Sequence, residues 1–579
     1  MEEPPQPETC GQKFGAFVKI HWQGCIILII PLAFSPLIFK EPLAEFRCMY
    51  VVIIMALYWI MELIPLYVTS FIPAFAFPAL NVLDSYQVCS AYFNDALLLF
   101  YAGLVVALAI EYSNLHRRIA LGVILLVGCS PRRLHFGLVI VSMFLSMWIS
   151  NSATTAMFCP IIKAVLAELE IQGMVKLTID KPVPPDEPPY PSKTVLCYYL
   201  GVAYAATIGG CGTLIGTGTN LTFKGIYEKR FKEAAEVDFL SFMMFSAPPM
   251  LVQTLLMYFW MQFFYQGFLR PNSETAKSVA VDASGVKLAK EIIGDKYKEL
   301  GPVTAHELQV AALFILMVAL LFTRKPGIFE GWGDQIGKIY KTSIKGSMPI
   351  MLSAVLLFVL PANYAFMKYL IGKRPEKEEP VPGLLGWKFI HTNLPWGLLF
   401  LLGGGFALAK GVTESGFAKM VGVALGVLKP FPAPVVQFIC IFAAIFLTAF
   451  SANVAICNIL IPVLAELAVA IEVHPLYLTL PAGVGCSLAF HLPVSTPPNA
   501  IVAGFANIRT KEMAIGGVGP TVITMTLLFL ASQSWIYIVF PYCNEFPSWA
   551  EPTTLKPDVP AGGAPGEAPG GEPPAPAGP

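Results

Sequence analysis

Apolar stretches dominate the chain. They fall near 25–39, 49–80, 96–111, 119–130, 134–170, 195–217, 241–268, 308–323, 347–371, 395–409, 417–428, 432–472, 476–491 and 513–540. One helix needs about 20 apolar residues to cross a bilayer, so this pattern predicts a polytopic bundle of transmembrane helices. Two stretches are about twice that length, 134–170 and 432–472. Each is interrupted near its middle by polar residues. In the first, "MWISNSATTAMFCPII" (147–162) carries Ser150, Asn151, Ser152, Thr154 and Thr155; in the second, Asn453 stands at the same place. The expected local structure is two half-helices meeting at an unwound joint, followed by a further stretch of helix. Unwound backbone at membrane depth is tolerated only against protein or a water-filled cavity, so the joints are expected to line one.

The two halves of the chain echo each other. "LLLFYAGLVVALA" (97–109) aligns with "GLLFLLGGGFALA" (397–409), "SNSATTAMFCP" (150–160) with "ANVAICNILIP" (452–462), and "GTGTN" (216–220) with "STPPN" (495–499). Asn151 falls on Asn453, Thr217 on Thr496 and Asn220 on Asn499. Three elements recurring in one order predict an internal duplication, a common architecture of secondary transporters and often one of inverted topology.

Other segments carry breaks of their own. "TIGGCGTLIGTGTN" (207–220) lacks the GK[ST] of a phosphate loop and reads as a tight turn or a close helix approach. "LLGGGFALA" (401–409) reads as a re-entrant hairpin or as a small-residue packing face. "HLPVSTPPNA" (491–500) cannot continue as regular helix through Pro497 and Pro498, and it brings Ser495, Thr496 and Asn499 toward a second pole of a site.

Composition supports a membrane protein. Of 579 residues, 56% are hydrophobic and 13% charged, against about 25% charged in soluble domains. Net charge is zero, so no nucleic-acid partner is expected. The acidic, Pro-rich start does not read as a cleavable signal, and the first span is expected to remain as a helix. The predicted layout is a cytoplasmic segment 1–23, a first half 24–260, a charged loop 270–307, a second half 308–541, and a disordered Pro/Gly-rich tail 556–579. Basic clusters at 116–118, 132–133 and 229–230 suggest cytoplasmic faces. The twelve cysteines are scattered without a CxxC pair and read as small buried hydrophobes. No nucleophile–base set or metal cluster is evident, so an enzyme is not expected, nor is a cofactor beyond a co-transported Na⁺. His491 reads as structural, Glu62 and Glu111 as groups at span ends. The sequon at 220–222 reads as unused because its surroundings are apolar.

The chemistry of the joints suits a charged solute. A half-helix N-terminus offers unpaired N–H groups and partial positive charge to an anion. Unwound carbonyls and an Asn oxygen suit a hard cation such as Na⁺. Neither joint contains Arg or Lys. An anion there would rest on dipoles, amides and co-bound cations.

At these residues the chain resembles the divalent anion/sodium symporter family. "SMWISNSATTAM", "LPANYAF", "FLLGGGFALA" and "HLPVSTPPNAIVAG" carry the resemblance, with "CSPRRLHFGL", "GGCGTLIGTGTNLTFKGIYE" and "VAGFANIRTKEMAI". It is closest to the insect I'm-not-dead-yet type of di- and tricarboxylate carrier. The resemblance implies an all-α fold of two inverted repeats with re-entrant hairpins and broken helices, a scaffold and a mobile transport domain, an elevator mechanism and a homodimer in the plasma membrane. It implies one cation site at Ser146, Ser150, Asn151 and Gly209, and a second at Thr448, Ser451, Asn453 and Ser495. Substrate carboxylates would meet Asn151, Ser152, Asn453, Val454, Thr496 and Pro497. The family motif is Ser-Asn-Thr in each half. Here it reads Ser150-Asn151-Ser152 and Ala452-Asn453-Val454, so the second copy lacks both flanking hydroxyls. The expected activity is cation-independent transport or exchange of citrate, succinate and related anions. Sodium-coupled symport and sulfate transport are the alternatives.

Overall fold

The computed structural model describes residues 10–550, apart from 41–42, 172–174, 180–187, 271, 273–282, 327–328, 371, 373 and 375–379. The tail at 556–579 and the first nine residues lie outside the described residues. The chain is all-α, with a single two-residue ladder between Thr178–Ile179 and Tyr190–Pro191 among the described residues. Nine described helices are long and apolar enough to cross a membrane. The described cysteines are free thiols, most of them buried.

The first half runs through α1 (Cys10–Phe34), α2 (Ala44–Met61), α3 (Ser85–Tyr92), α4 (Asp95–Tyr112), α5 (Leu115–Val127), α6 (Pro131–Ser146), α7 (Asn151–Ile171), α8 (Lys193–Gly210), α9 (Gly218–Arg230) and α10 (Phe239–Gln266). Within the charged loop, α11 (Ala283–Glu299) is helical and packs against α5 and α7. The second half continues with α12 (Ala305–Arg324), α13 (Ser347–Val359), α14 (Trp396–Glu414), α15 (Phe417–Leu425), α16 (Ala433–Thr448), α17 (Asn453–Ala470), α18 (Pro475–Gly485), α19 (Pro497–Ala506) and α20 (Thr510–Gln533). A bend of 118° separates the Phe417–Leu428 stretch from α16.

Packing sorts the helices into two groups. One holds α6 to α10 with α16 to α20, centred on α8, whose residues are buried from Thr194 to Gly210. The other holds α2 to α4 with α12 to α14. Between them α9 and α17 lie against α14. Each half lends its broken helix to the other: α9 packs on α17, and α19 packs on α7.

Three elements depart from the sequence expectation. The stretches 134–170 and 432–472 hold no third helical piece: each is two helices joined by four residues, 147–150 and 449–452. The apolar length that suggested an extra piece is the second arm, α7 or α17. The glycines at 403–405 form no re-entrant hairpin either. They lie inside α14, one continuous helix of 19 residues. A Cβ at Gly403 would meet the Tyr92 ring at 2.6 Å, one at Gly404 the Ser70 carbonyl at 2.5 Å, and one at Gly405 the Asn458 amide at 1.9 Å. These glycines serve close approach, the small-residue packing of helices in lipid. Helix α1 itself is kinked at His21, where the backbone leaves helical geometry.

Candidate functional site

The two four-residue tips share one geometry. Ser146 ends α6 and is fully buried; its Oγ donates to Asn151 Oδ1 at 2.5 Å, across the tip to the first residue of α7. Thr448 ends α16 and is also fully buried; its Oγ1 lies 2.7 Å from Asn453 Oδ1, at the first residue of α17. In both tips a hydroxyl reaches the amide oxygen five residues on. Thr448 Oγ1 also lies 2.7 Å from the Cys486 carbonyl, so its single proton is shared between two acceptors.

The tips differ where the sequence differs. Ser150 Oγ accepts from the Ala153 N–H at 3.2 Å and so caps α7. Ser152 Oγ lies 3.4 Å from it. Ala452, at the matching position, has no side-chain cap to offer α17. The first-turn N–H groups of the second tip therefore keep their capacity for an external anion. Ser451 is buried and its Oγ lies 3.4 Å from the Trp59 carbonyl of α2.

The broken helices complete the site. α8 stops at Gly210 and α9 resumes at Gly218; α18 stops at Gly485 and α19 resumes at Pro497. Thr217 and Thr496 stand as extended N-caps of α9 and α19, and neither hydroxyl caps its helix. Pro497 and Pro498 open α19, a position where proline's missing N–H costs nothing, so the Pro-Pro pair starts a helix after the break. Consequently α19 lacks the first two donors that α9 offers at Gly218 and Thr219.

Contacts join these pieces. Thr213 Oγ1 donates to the Met147 carbonyl at 2.5 Å, tying the α8–α9 break to the first tip. The Asn151 amide lies against Gly210, where a Cβ would sit 2.6 Å from Oδ1 and 2.7 Å from Nδ2. Gly209 packs as closely, a Cβ there falling 2.2 Å from the Met143 carbonyl. In the second half, Val454 reaches across to α9: its Cγ2 lies 3.2 Å from the Cβ position of Gly218. Thr219 and Ser487 hydrogen bond hydroxyl to hydroxyl, linking the two breaks. Ser495 Oγ donates to the Leu492 carbonyl at 2.6 Å, inside the second break. The structure thus sets the first group (Ser146, Ser150, Asn151, Ser152, Gly209) around one tip. It sets Thr448, Ser451, Asn453 and Val454 around the other, with Ser495, Thr496 and Pro497 at the end of the second break.

Sequence reading missed Thr213, Ser487 and Asn458. Asn458 is fully buried and its Nδ2 donates to the Leu401 carbonyl at 3.1 Å; a polar residue within an apolar helix was the available signal. It also missed a buried charge cluster built on α9. Lys224, 2% exposed, pairs with Glu228 and lies 3.5 Å from Glu236. Glu236 in turn binds Arg324 at 3.2 Å and Lys345 at 3.8 Å. His491 is held at both ring nitrogens, by the Ala514 carbonyl at 3.0 Å and Thr521 Oγ1 at 2.9 Å. Asn220 of the sequon is fully buried. Glu62 is exposed, in the left-handed turn that ends α2.

Residues 18–541 match the model of the sodium:sulfate symporter transmembrane region. The chain belongs to the divalent anion/sodium symporter family. Among curated relatives of this symporter family, the Drosophila melanogaster "Protein I'm not dead yet" is 54% identical over 95% of this chain and 94% of its own length. A mouse "Na(+)/dicarboxylate cotransporter 3" is 36% identical, covering 92% and 96%. A rat "Na(+)/citrate cotransporter" is 34% identical, covering 95% and 99%. This family member is accordingly a multi-pass membrane transporter, not an enzyme.

Proposed function

We propose that the chain carries di- and tricarboxylates, citrate and succinate among them, across the plasma membrane by an elevator stroke, without obligatory cation coupling. The duplicated tip carries the reading: a buried hydroxyl and an Asn amide at the start of a helix, in both halves, with no Arg or Lys in either tip. Two such helix starts, set by the cross-packing of α9 on α17 and α19 on α7, suit an anion with a carboxylate at each end. The names of the mouse and rat relatives, a dicarboxylate and a citrate cotransporter, agree with this substrate class.

Cation independence is supported by the second tip, where Ala452 and Val454 supply no oxygen ligand from their side chains. The same relatives carry Na(+) in their names, which favours sodium symport as the second reading. There Ser146, Ser150, Asn151 and Gly209 would hold one ion, and Thr448, Ser451, Asn453 and Ser495 another. The elevator reading is supported by the two packing groups, which meet along α14.

Labelled citrate and succinate uptake, with sodium and with choline in its place, tests this. Uptake equal in both media is expected. Uptake lost in choline would establish sodium symport. No uptake of either substrate would overturn the carboxylate assignment, and sulfate would be the next substrate to try.

A further inference from the structure

Asn220 and Asn499 are the third residues of α9 and α19, both fully buried. Asn220 Nδ2 donates to the Gly210 carbonyl at 3.1 Å and the Thr213 carbonyl at 2.7 Å. Asn499 Nδ2 donates to the Ala489 carbonyl at 3.2 Å and the Leu492 carbonyl at 3.1 Å. In both halves the amide reaches back to the carbonyls ten and seven residues earlier. Carbonyls only accept, so the amide orientation is set: Nδ2 faces the break and Oδ1 points away. Both Oδ1 atoms are buried without a hydrogen-bond partner in the structure.

Such a register, repeated across breaks of different length, is more than generic satisfaction of a buried amide. The first break spans 211–217 and the second 486–496, yet the same two-carbonyl grip recurs, reaching from the end of α8 in the first and from Ala489, inside the break, in the second. Each grip fixes unwound backbone that no helix ladder holds. In the first half it extends to the tip. Asn220 holds the Thr213 carbonyl while the Thr213 hydroxyl holds the Met147 carbonyl at 2.5 Å. In the second half, Ser495 shares the Leu492 carbonyl with Asn499.

We propose that Asn220 and Asn499 are positioning residues of the substrate site, amide clamps that fix each break and so set where the half-helix N-termini stand against the opposing tip. The clamps act through their two N–H bonds, not by touching substrate. The proposal rests on the carboxylate-carrier reading for its transport assay, but not for its thiol assay.

Asn220→Ala and Asn499→Ala are compared with the parent chain for citrate uptake at matched surface amount. Losing the grip should raise KM about tenfold, as expected for one buried hydrogen-bond pair, with Vmax little changed. Asn220→Asp and Asn499→Asp keep the shape. They donate only when protonated, and then through one O–H in place of two N–H, so their uptake relative to the parent should recover in part in acidic medium, while the Ala variants should not. The second readout needs no substrate. Cys211 and Cys486 begin the two breaks and are buried. A membrane-permeant maleimide, located by peptide mass, should modify Cys211 faster in the Asn220 variant and Cys486 faster in the Asn499 variant. Unchanged KM and unchanged labelling would overturn the clamp, as would Asp variants indifferent to pH. If an Ala variant fails to reach the surface, the Asp variant carries the same test. Should the parent move no citrate, the functional reading fails and the labelling alone decides the clamp.

Discussion

Thr448 Oγ1 lies 2.7 Å from Oδ1 of Asn453, five residues on, and Ser146 Oγ stands in the same relation to Asn151 at 2.5 Å. The contact turns each amide so that its oxygen meets the hydroxyl, leaving Nδ2 for whatever enters the tip. Asn151→Ala and Asn453→Ala should each abolish uptake of labelled succinate while surface biotinylation stays at the parent level. Thr448→Val removes only the hydroxyl and should lower affinity about tenfold, from a buried bond worth on the order of 1–1.5 kcal/mol. Normal transport in both Asn variants would remove the tips from the site.

Val454 stands where the first half has Ser152, and its methyl faces Gly218 of α9 at 3.2 Å from the Cβ position. Leu402 and Phe100 lie 3.7 Å from the same point. A threonine has nearly the same shape, so Val454→Thr should fold. Its hydroxyl would add a donor beside the α9 N-terminus. Substrate affinity or sodium dependence should rise, by about threefold to tenfold for one added hydrogen bond of about 1 kcal/mol. The check is KM for citrate in sodium and in choline; the parent KM in both media would show that Val454 does not face substrate.

The tips were legible because they combine two signals: a polar cluster where lipid-facing residues belong, and a second copy of it about 300 residues on. Pattern alone could not show that 134–170 is two helices, since a hairpin and a kinked helix share the same apolar content. The Gly403–Gly405 run misled for a related reason. Glycine marks close approach and chain reversal alike, and only the partners (Tyr92, Ser70 and Asn458) decide between them. The charge cluster on α9 was hidden because Arg324 and Lys345 come from the other half of the chain, about 100 residues beyond Lys224 and Glu236.

Gly405→Ala tests the packing of α14 on α17. The added methyl would fall 1.9 Å from Asn458 Oδ1, and Asn458 is pinned through Nδ2 to the Leu401 carbonyl. Overpacking of this kind costs about 1–3 kcal/mol, and here it also threatens a buried hydrogen bond. The expected outcome is a lower unfolding temperature in detergent and less protein at the surface. Gly422→Ala, whose Cβ would meet only the Glu466 carbonyl at 3.9 Å, should be close to neutral. Equal stability of the two variants would refute the close approach.

Glu236 joins the α9–α10 connection to the second packing group, with Arg324 at 3.2 Å and Lys345 at 3.8 Å on one side and Lys224 at 3.5 Å on the other. Burial alone would raise its pKa, but Lys224, Arg324 and Lys345 together bring it below the ordinary carboxylate value. A depressed folded-state pKa contributes stability that is present above the unfolded value and lost as pH falls through the folded one. This contribution is therefore complete at neutral pH and fades only below the ordinary carboxylate range. Glu236→Gln removes the shared anion while Lys224 and Arg324 stay buried, and breaking such a pair from one side costs about 3–5 kcal/mol. In detergent the variant should melt lower than the parent at neutral pH, and the gap should close in strong acid, where Glu236 is itself protonated. If Arg324 and Glu236 also bridge a moving and a fixed group of helices, the uptake rate should change in Arg324→Gln with KM retained. A melting gap independent of pH would show that Glu236 stabilises the fold by packing and not by its charge.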